Sequence, residues 1–293
     1  MTIFTEQSNK NTVDIDIKNS FEIARMINEE DKKVAVAVEK ELKNIAKGID
    51  LITDAFLNGG RLAYFGAGTS GRLGVLDASE CVPTFGVDSD LVRGYIAGKD
   101  RALRNAVENA EDNASFALED LADFKPTKND VVVGISASGN PAYVVTAMEE
   151  ARRAGVATIG ISSNPEAKLK NFSDVFICPV VGQEVITGSS RMKSGTAQKM
   201  ILNMLTTGAM IRTGKTYRNY MIDLQISNQK LYERACRFVS EICNVDLKEA
   251  ERLLVLGDMR VKTACVMGVK KCDKQTALAL LKDASGVLRR IIK

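Results

Sequence analysis

The stretch LAYFGAGTSGRLG, residues 62 to 74, joins a short apolar run to a loop of glycines and hydroxyl side chains. Four more runs rich in β-branched or aromatic residues follow it, and helical stretches separate them. The five predicted strands are LAYF (62–65), LVRGYIA (91–97), VVVGI (131–135), VATIGI (156–161) and VFICP (175–179). Because parallel strands need crossover connections, this alternation predicts a doubly wound α/β fold with about five parallel strands between two layers of helices.

Helical patterns extend the chain on both sides of this region. An apolar stripe predicts one long amphipathic helix over residues 31 to 57, after a polar and irregular segment at residues 1 to 20. The segment from 189 to 212 is apolar on nearly every side, which predicts a buried helix with a polar first turn. After Gly214 the sequence predicts helices only, with three aspartates as N-caps: Asp246, Asp258 and Asp273.

The length of 293 residues fits one large domain with an appendage, or two modest domains. We expect an N-terminal arm and long helix at 1–53, an α/β domain at 54–217 and a small all-helical C-terminal domain at 218–293.

The composition excludes several kinds of chemistry. The chain has no histidine, which removes every Ser-His-Asp triad, histidine zinc site and histidine proton shuttle. Acid and base catalysis must therefore use Glu, Asp, Lys, Tyr or Cys. Forty Lys and Arg against thirty-seven Asp and Glu give a net charge of +3, which argues against a general nucleic-acid binder and leaves a small anionic ligand open.

The cysteines and the apolar runs bear on the compartment. Six cysteines are scattered without a CxxC motif, so neither a disulfide framework nor a zinc site is expected. The first sixteen residues lack an apolar signal region, and no apolar run approaches the roughly 18 residues needed to span a bilayer. We expect a protein of the reducing cytoplasm with no membrane partner.

Small hydroxyls and glycines are concentrated where three of the predicted strands end. The loops are GAGTSGRLG at 66–74, SASGN at 136–140 and SSNP at 162–165. In an open α/β sheet, ligands bind outside these strand ends, and free N–H groups with Ser or Thr hydroxyls suit a phosphate. Ordinary N-capping by serine explains any one loop, but three loops in register favour a shared phosphate ligand, with Ser136, Ser138 and Gly139 as its best candidates.

The first loop also matches the dinucleotide fingerprint G-x-G-x-x-G at Gly66, Gly68 and Gly71. That fingerprint requires an acidic residue about 20 positions after the glycines, at the end of the next strand. Here Asp88 comes before that strand, and the first acid after it is Asp100. A nucleotide site is therefore disfavoured.

Four longer strings carry a family resemblance: GAGTSGRLGVLDASECVPTFGV, ENAEDN, VVVGISASG and GQEVITGSSRMKSGTAQK. Together they resemble the SIS (sugar isomerase) domain, a phosphosugar-binding α/β fold, and within it the N-acetylmuramic acid 6-phosphate etherase family. The resemblance runs from about residue 7 to the C-terminus. It implies cleavage of the D-lactyl ether of a phosphorylated amino sugar during cell-wall sugar recovery, a homodimer, and neither a metal nor an organic cofactor.

The resemblance also implies roles for individual residues. The glutamate of the DASEC motif is Glu80 and that of the ExAED motif is Glu111, and the family assigns acid/base roles to both. We expect Glu80 to be the base, and Glu111, on a predicted helix over 107 to 112, to be the acid or the helper in ring opening. One departure is that the serine loop reads ASGNPA where relatives commonly have ASGRTP, so an Arg and a Thr hydroxyl are missing.

The full set of expected substrate-binding residues comes from three segments. Arg191 and Lys193 are candidates to stabilise the developing enolate or the lactyl carboxylate, and Arg72 is either an anion ligand or part of a surface salt bridge. The set is Thr69, Ser70, Gly71 and Arg72; Ser136, Ser138, Gly139 and Asn140; and Ser189, Ser190, Arg191 and Lys193.

Two other functions remain open at this stage. SIS domains also serve as phosphosugar sensors in regulators, which keep the serine loops but do not need paired glutamates. An aldose-ketose isomerase of the same fold is disfavoured because members of that group often use histidine for ring opening. Because SIS sites are often completed by a neighbouring subunit, we expect the site to lie near a subunit interface.

Overall fold

The computed structural model of the chain describes residues 6 to 292. It contains a five-stranded sheet in the order β2-β1-β3-β4-β5, and every neighbouring pair is parallel. The strands are β1 Leu62–Gly66, β2 Val92–Ile96, β3 Val131–Ile135, β4 Ala157–Ile161 and β5 Val175–Ile177. The predicted doubly wound α/β fold and all five predicted strands are confirmed.

The central strands are apolar on both faces because helices cover both sides of the sheet. Every residue of β1 and of β3 is buried. The helices before, between and after the strands are α1 Ser20–Glu39, α2 Leu42–Leu57, α3 Gly68–Phe85, α4 Lys99–Arg104, α5 Ala114–Phe124, α6 Ala142–Arg153 and α7 Lys193–Arg212, with short 3-10 helices at Ile15–Ile17 and Lys168–Phe172.

The chain divides into two compact units. The first consists of Met1–Ser79 and Asp90–Thr207, and the second of Glu80–Ser89 and Gly208–Lys293. The second unit has its own apolar core, in which Val239, Leu254 and Cys265 are fully buried. Its elements are strands β6 Thr216–Tyr217 and β7 Tyr220–Met221, helices α8 Gln229–Cys243, α9 Leu247–Leu256, α10 Val261–Lys270 and α11 Lys274–Asp283, and a 3-10 helix at Leu288–Arg290. The domain boundaries at 53 and 217 stay predictions.

The prediction of one long N-terminal helix over 31 to 57 was wrong, because the chain forms α1 and α2 instead. The N–H of Glu41 bonds the carbonyl of Val38, three residues back, which tightens the turn between them. The apolar stripe continues across the turn, so periodicity did not reveal it. A capping box between Asn19 and Glu22 starts α1 eleven residues earlier than predicted.

The residues before α1 are held against the first unit. The side chain of Asn9 donates to the carbonyl of Gln183, and the hydroxyl of Thr12 donates to the carbonyl of Val185. The part of the predicted irregular segment at residues 1 to 5 lies outside the described residues, as does Lys293 in the predicted last turn.

Two expectations for the C-terminal part need correction. The stretch after Gly214 is not wholly helical, because β6 and β7 form a short antiparallel hairpin before α8. Asp246 and Asp273 do cap α9 and α11, but Asp258 is not an N-cap. It adopts a left-handed conformation with φ 55° two residues before Arg260, which is the N-cap of α10.

Helix α7 is less completely buried than predicted. Its polar residues lie three or four positions apart and form one exposed stripe, consisting of Thr196, Lys199, Asn203 and Thr207. Residues 189 to 192 are a turn before the helix rather than its first turn. Among residues 6 to 292, no helix is both long enough and apolar enough to cross a membrane.

Candidate functional site

The hydroxyl-rich loops emerge from one edge of the sheet. Gly66 at the end of β1 pairs with Ile135 at the end of β3, which pairs with Ile161 at the end of β4. In the order β2-β1-β3-β4-β5, the chain first adds β2 on one side of β1 and then adds β3, β4 and β5 on the other side. The strand order therefore reverses between β1 and β3. Ligands of doubly wound sheets bind at such a switch point, so the loops after β1 and β3 flank the expected position.

The glycines of the first loop serve close packing between β1 and α3. A Cβ on Gly66 would lie 2.6 Å from the Gly71 backbone nitrogen, and one on Gly71 would lie 2.6 Å from the Gly66 carbonyl oxygen. Gly68, the first residue of α3, has φ 54°. Strand and helix therefore touch through backbone atoms, which accounts for the G-x-G-x-x-G match without a nucleotide.

The start of α3 is joined to α7. The Ser70 hydroxyl donates to Gln198 Oε1 at 2.9 Å, and both residues are buried. Gly195 of α7 faces Thr69, and a Cβ there would lie 3.4 Å from the Thr69 methyl group, an ordinary contact distance. The Gln198 Nε2 group is buried and has no hydrogen-bond partner among the described residues. Sequence reasoning missed Gln198, although it lies within the family string TAQK.

The serine loop after β3 is a tight turn. The Ser136 hydroxyl accepts from the Gly139 N–H at 3.0 Å, so this side chain stabilises the loop itself. Gly139 has φ 71°, and a Cβ on it would lie 2.3 Å from the Ala167 Cβ. Only glycine fits this position, where the loops after β3 and β4 meet.

The loop after β4 supports the serine loop through several hydrogen bonds. Ser162 donates its hydroxyl to the Ala137 carbonyl, and Asn164 donates its side-chain amide to the Ser138 carbonyl. The Asn140 side chain accepts from the Lys168 N–H. Three hydroxyls here do not donate to another group of the described residues: those of Ser136, Ser138 and Ser163. The first two accept from the N–H groups of Gly139 and Asn140, whereas the buried Ser163 hydroxyl has no partner within residues 6 to 292.

A carboxylate occupies the amino end of α7. Glu184, fully buried, accepts from the backbone N–H of Lys193 at 2.9 Å and from both the N–H and the hydroxyl of Ser194. A negative charge at this place interacts favourably with the helix dipole. The prediction of a polar amino end is therefore correct, but the ligand of these N–H groups is Glu184, which sequence reasoning did not select.

Lys193 is committed to a buried ion pair. Its ammonium donates to Glu30 on α1 at 2.7 Å, and the two side chains are 1% and 3% exposed. Burial would raise the pKa of Glu30, but hydrogen bonds from Lys193, Lys33, Asn11 and Asn9 outweigh it and lower the pKa from 4.5 to about 2. The Lys193 ammonium therefore stabilises the fold around the site through Glu30, an interaction that does not need a ligand.

Four more expected ligands can be placed, and the side chain of one of them, Arg72, already has protein contacts. The Arg72 guanidinium donates to the carbonyls of Leu103 and Ala102, at 3.1 and 2.7 Å, and so closes the carboxyl end of α4. Neither of the two alternatives considered for Arg72, an anion ligand or a surface salt bridge, describes these contacts. Ser189 and Ser190 are half-buried in the turn before α7, and Arg191 is exposed there.

The two candidate catalytic glutamates are both exposed. Glu80 lies on α3, ten residues after Ser70, and belongs to the second unit. Glu111 belongs to the first unit, and its carbonyl accepts from the Tyr143 N–H in the first turn of α6, which follows the serine loop. The predicted helix over 107 to 112 was wrong. Asn109 is left-handed with φ 58° and Asn113 is already the N-cap of α5, so this segment is a turn.

In the part of the chain that the structure describes, no group of three or more Cys, Asp or Glu side chains is placed to hold a metal ion. All six cysteines are in the reduced thiol form.

Family comparisons match most of the chain. The SIS domain family matches residues 108–208, and the glucokinase regulatory protein N-terminal SIS domain family matches residues 44–152. The C-terminal lid domain of glucokinase regulatory protein matches residues 218–259.

Curated relatives are similar over nearly the whole chain. An N-acetylmuramic acid 6-phosphate etherase of Clostridium botulinum strain Langeland is 50% identical over 99% of this chain and 96% of its own length. An etherase of the same name from Glaesserella parasuis is 49% identical over 98% and 95%. Among solved structures, a Bacteroides fragilis protein provisionally described as a phosphosugar isomerase involved in capsule formation has a TM-score of 0.52 at 23% identity. It covers 69% of this chain and 97% of that one, a likeness of fold alone.

Proposed function

The chain belongs to the N-acetylmuramic acid 6-phosphate etherase family, and from this we propose that it cleaves the D-lactyl ether of N-acetylmuramic acid 6-phosphate, giving N-acetylglucosamine 6-phosphate and D-lactate. It is a carbon–oxygen lyase of cell-wall amino-sugar recycling. The observation that carries the proposal is the set of strand-end loops, which combine hydroxyls and backbone N–H groups at the switch point of the sheet.

The substrate phosphate lies on the serine loop. Gly139, with φ 71°, gives this loop its tight turn, and the half-buried Ser138 supplies a hydroxyl donor. Ser136 contributes indirectly, because its hydroxyl accepts from the Gly139 N–H and fixes the loop. The amino end of α7 is not the phosphate site, since Glu184 already accepts from its first N–H groups.

The reaction begins with the open-chain sugar, in which the lactyl oxygen is β to the aldehyde. A carboxylate removes the proton at carbon 2, the electron pair moves toward carbon 3, and the carbon 3–oxygen bond breaks. A carboxylic acid gives its proton to the departing lactate oxygen. Water then adds at carbon 3 while a proton returns to carbon 2, so that one water is consumed for each ether cleaved.

Glu80 is the base at carbon 2 and handles the proton of the incoming water. Glu111 is the acid for the leaving group or the helper in ring opening. Positioned acid/base groups typically contribute roughly 10²- to 10⁴-fold each. A chain without histidine must use carboxyls or other groups for these steps, and both glutamates are accessible to a ligand.

Release of D-lactate from the phosphorylated muramic sugar tests the assignment. Glu80→Gln and Glu111→Gln should each lower the turnover rate roughly 10²- to 10⁴-fold. Glu108→Gln is the matched control, since Glu108 is an exposed glutamate of the same turn as Glu111, and it should keep the rate within about twofold. Wild-type turnover by Glu80→Gln would refute its role as base.

The products separate this activity from its rivals. In heavy-oxygen water, elimination followed by addition puts the label on carbon 3 of the sugar, whereas label in lactate would show hydrolysis of the other ether bond. Binding without lactate release would indicate a phosphosugar sensor. Conversion of an aldose phosphate that has a free 2-hydroxyl into its ketose, without release of lactate from the muramic sugar, would indicate an isomerase.

The chain forms a homodimer with its site near the subunit interface, and it acts in the cytoplasm. Support for the dimer comes from three apolar side chains at spacings of four in the N-terminal part of the first unit: Val13, Ile17 and Phe21, which are 68%, 74% and 76% exposed. Six cysteines in the reduced thiol form suit a reducing compartment.

The dimer is tested by sedimentation and by mixing subunits. Val13→Ser with Phe21→Ser should yield a monomer, and an unchanged sedimentation coefficient would refute this contact. If a partner completes each site, co-expression of Glu80→Gln with Ser138→Ala chains should restore part of the activity that each variant lacks alone.

A further inference from the structure

The second unit contains a cavity of about 720 Å³ that is partly open to solvent. This volume lies in the range of small-molecule sites, roughly 300 to 1,000 Å³. Its walls come from the turn after β7, the first turn of α10, the last turn of α11 and the loop at Gly286. None of its lining residues belongs to the strand-end loops, so the proposed etherase mechanism leaves it without a role.

The charges around this cavity are predominantly positive. Four basic side chains line it, against the single carboxylate of Asp223. Lys262 Nζ lies 2.6 Å from Asp223 Oδ2, and Lys215 Nζ lies 3.3 Å from the same oxygen. The basic residues are Lys215, Arg260, Lys262 and Lys282.

Lys262 is the group that most needs a further anion. Its side chain is 13% exposed, and burial lowers its pKa despite the ion pair with Asp223. Asp223 divides its charge between two lysines, so one carboxylate serves two ammonium groups. On its other side, Lys262 Nζ would lie 3.8 Å from a Cβ on Gly286, a position that brings no charge.

The first turn of α10 adds backbone donors to the same cavity. Its residues Val261, Lys262 and Thr263 line the wall, and within the described residues no side chain caps this turn. N–H groups at a helix start favour anions, and here they accompany the lysine cluster.

We propose that this cavity binds a small molecule that carries a phosphate group, at a site separate from the phosphosugar loops. A phosphate monoester brings up to two negative charges, which matches the excess of basic groups better than a monocarboxylate does. Lys262 and Lys215, which are half-buried, supply the inner contacts, while Arg260 and Lys282 are exposed.

The methyl group of Met259 offers a local readout, because Met259 lines the cavity. In the full-length protein with ¹³C-methyl methionine, titration with inorganic phosphate should shift the Met259 resonance. The same shift should occur in Ser136→Ala/Ser138→Ala, which tests the cavity apart from the strand-end loops. Titration with lactate should require a higher concentration.

Variants of the basic residues complete the test. Lys262→Met and Arg260→Met should each weaken phosphate binding at Met259 roughly tenfold, as expected for loss of one charged contact. Lys248→Met, an exposed lysine of α9 outside the cavity, should leave it unchanged. Arg260 is exposed, so its variant folds even if that of Lys262 does not.

Three results would overturn the proposal. They are the absence of any Met259 shift with phosphate, equal affinity of wild type and Arg260→Met, and tighter binding of lactate than of phosphate. Failure of the etherase assay would leave this result standing, since the readout does not involve turnover.

Discussion

Replacing Glu30 with glutamine should destabilise the first unit by about 3 kcal/mol at neutral pH. The Lys193 ammonium, 1% exposed, would then lie buried without its counter-charge, and breaking a buried pair in this way costs about 3–5 kcal/mol. A pKa lowered from 4.5 to about 2 gives a similar figure, since each unit corresponds to about 1.4 kcal/mol. Because glutamine at position 30 can still accept one hydrogen bond, we expect a loss at the lower end of the range of about 3–5 kcal/mol.

The loss of unfolding free energy in Glu30→Gln should become smaller as the pH falls. Because the folded pKa of Glu30 is below its usual value, its stabilising contribution is complete above about pH 4.5 and disappears as the pH falls toward 2. The difference in unfolding free energy between wild type and Glu30→Gln should therefore shrink over this interval.

Urea unfolding followed by circular dichroism, at several pH values between 7 and 2.5, measures this difference. Glu29→Gln is the neighbouring control, because Glu29 pairs with Lys32 at the surface and should contribute less than about 1 kcal/mol. Adding Lys193→Met to Glu30→Gln should recover part of the loss, since it removes the orphaned charge. A deficit below about 1 kcal/mol at pH 7, or one constant down to pH 2.5, would refute the reasoning.

Two further substitutions test the local structure. Gly139→Ala should lower the unfolding free energy more than Gly155→Ala, because both glycines have positive φ near 70° but only Gly139 faces an atom that a Cβ would overlap; equal losses of about 1–2 kcal/mol would indicate backbone strain alone. Asp246→Ala should cost about 1 kcal/mol as the lost N-cap of α9, and calorimetry showing no shift in melting temperature would contradict that capping role.

The fold was predictable because its signal is repeated along the chain. Each strand is a short β-branched run, and each crossover contains a helix-length stretch, so errors in one element leave the architecture unchanged. The predictions of helix bounds and caps were wrong where the backbone conformation changes within one or two residues. The tight turn at Glu41 and the left-handed residues Asn109 and Asp258 leave hydrophobic periodicity nearly intact.

The strand-end loops were also predictable, but the use of their side chains was not. Their position directly after the third predicted strand placed Ser136, Ser138 and Gly139 at the switch point. Hydrogen bonds within the loop and from more distant segments decide which of their polar groups remain available to a ligand. Gln198 is joined to Ser70 across 128 positions of sequence, and Glu184 caps a helix that starts nine residues later. Such partners have no local signature.

The buried ionic groups of this protein and its proposed catalytic residues are different residues. The most deeply buried ionic groups around the candidate site, Glu30, Lys193 and Glu184, are satisfied by one another or by helix N–H groups. Glu80 and Glu111 lie exposed, where nothing but motif resemblance singles them out. The ion pair with Lys193 lowers the pKa of Glu30 as strongly as a catalytic environment could, so a search for shifted pKa values would select Glu30, which supports the fold, ahead of either proposed catalytic glutamate. Because the proposed roles of Glu80 and Glu111 rest on that resemblance, their glutamine variants and the mixed-subunit experiment test them more directly than a further search for perturbed groups would.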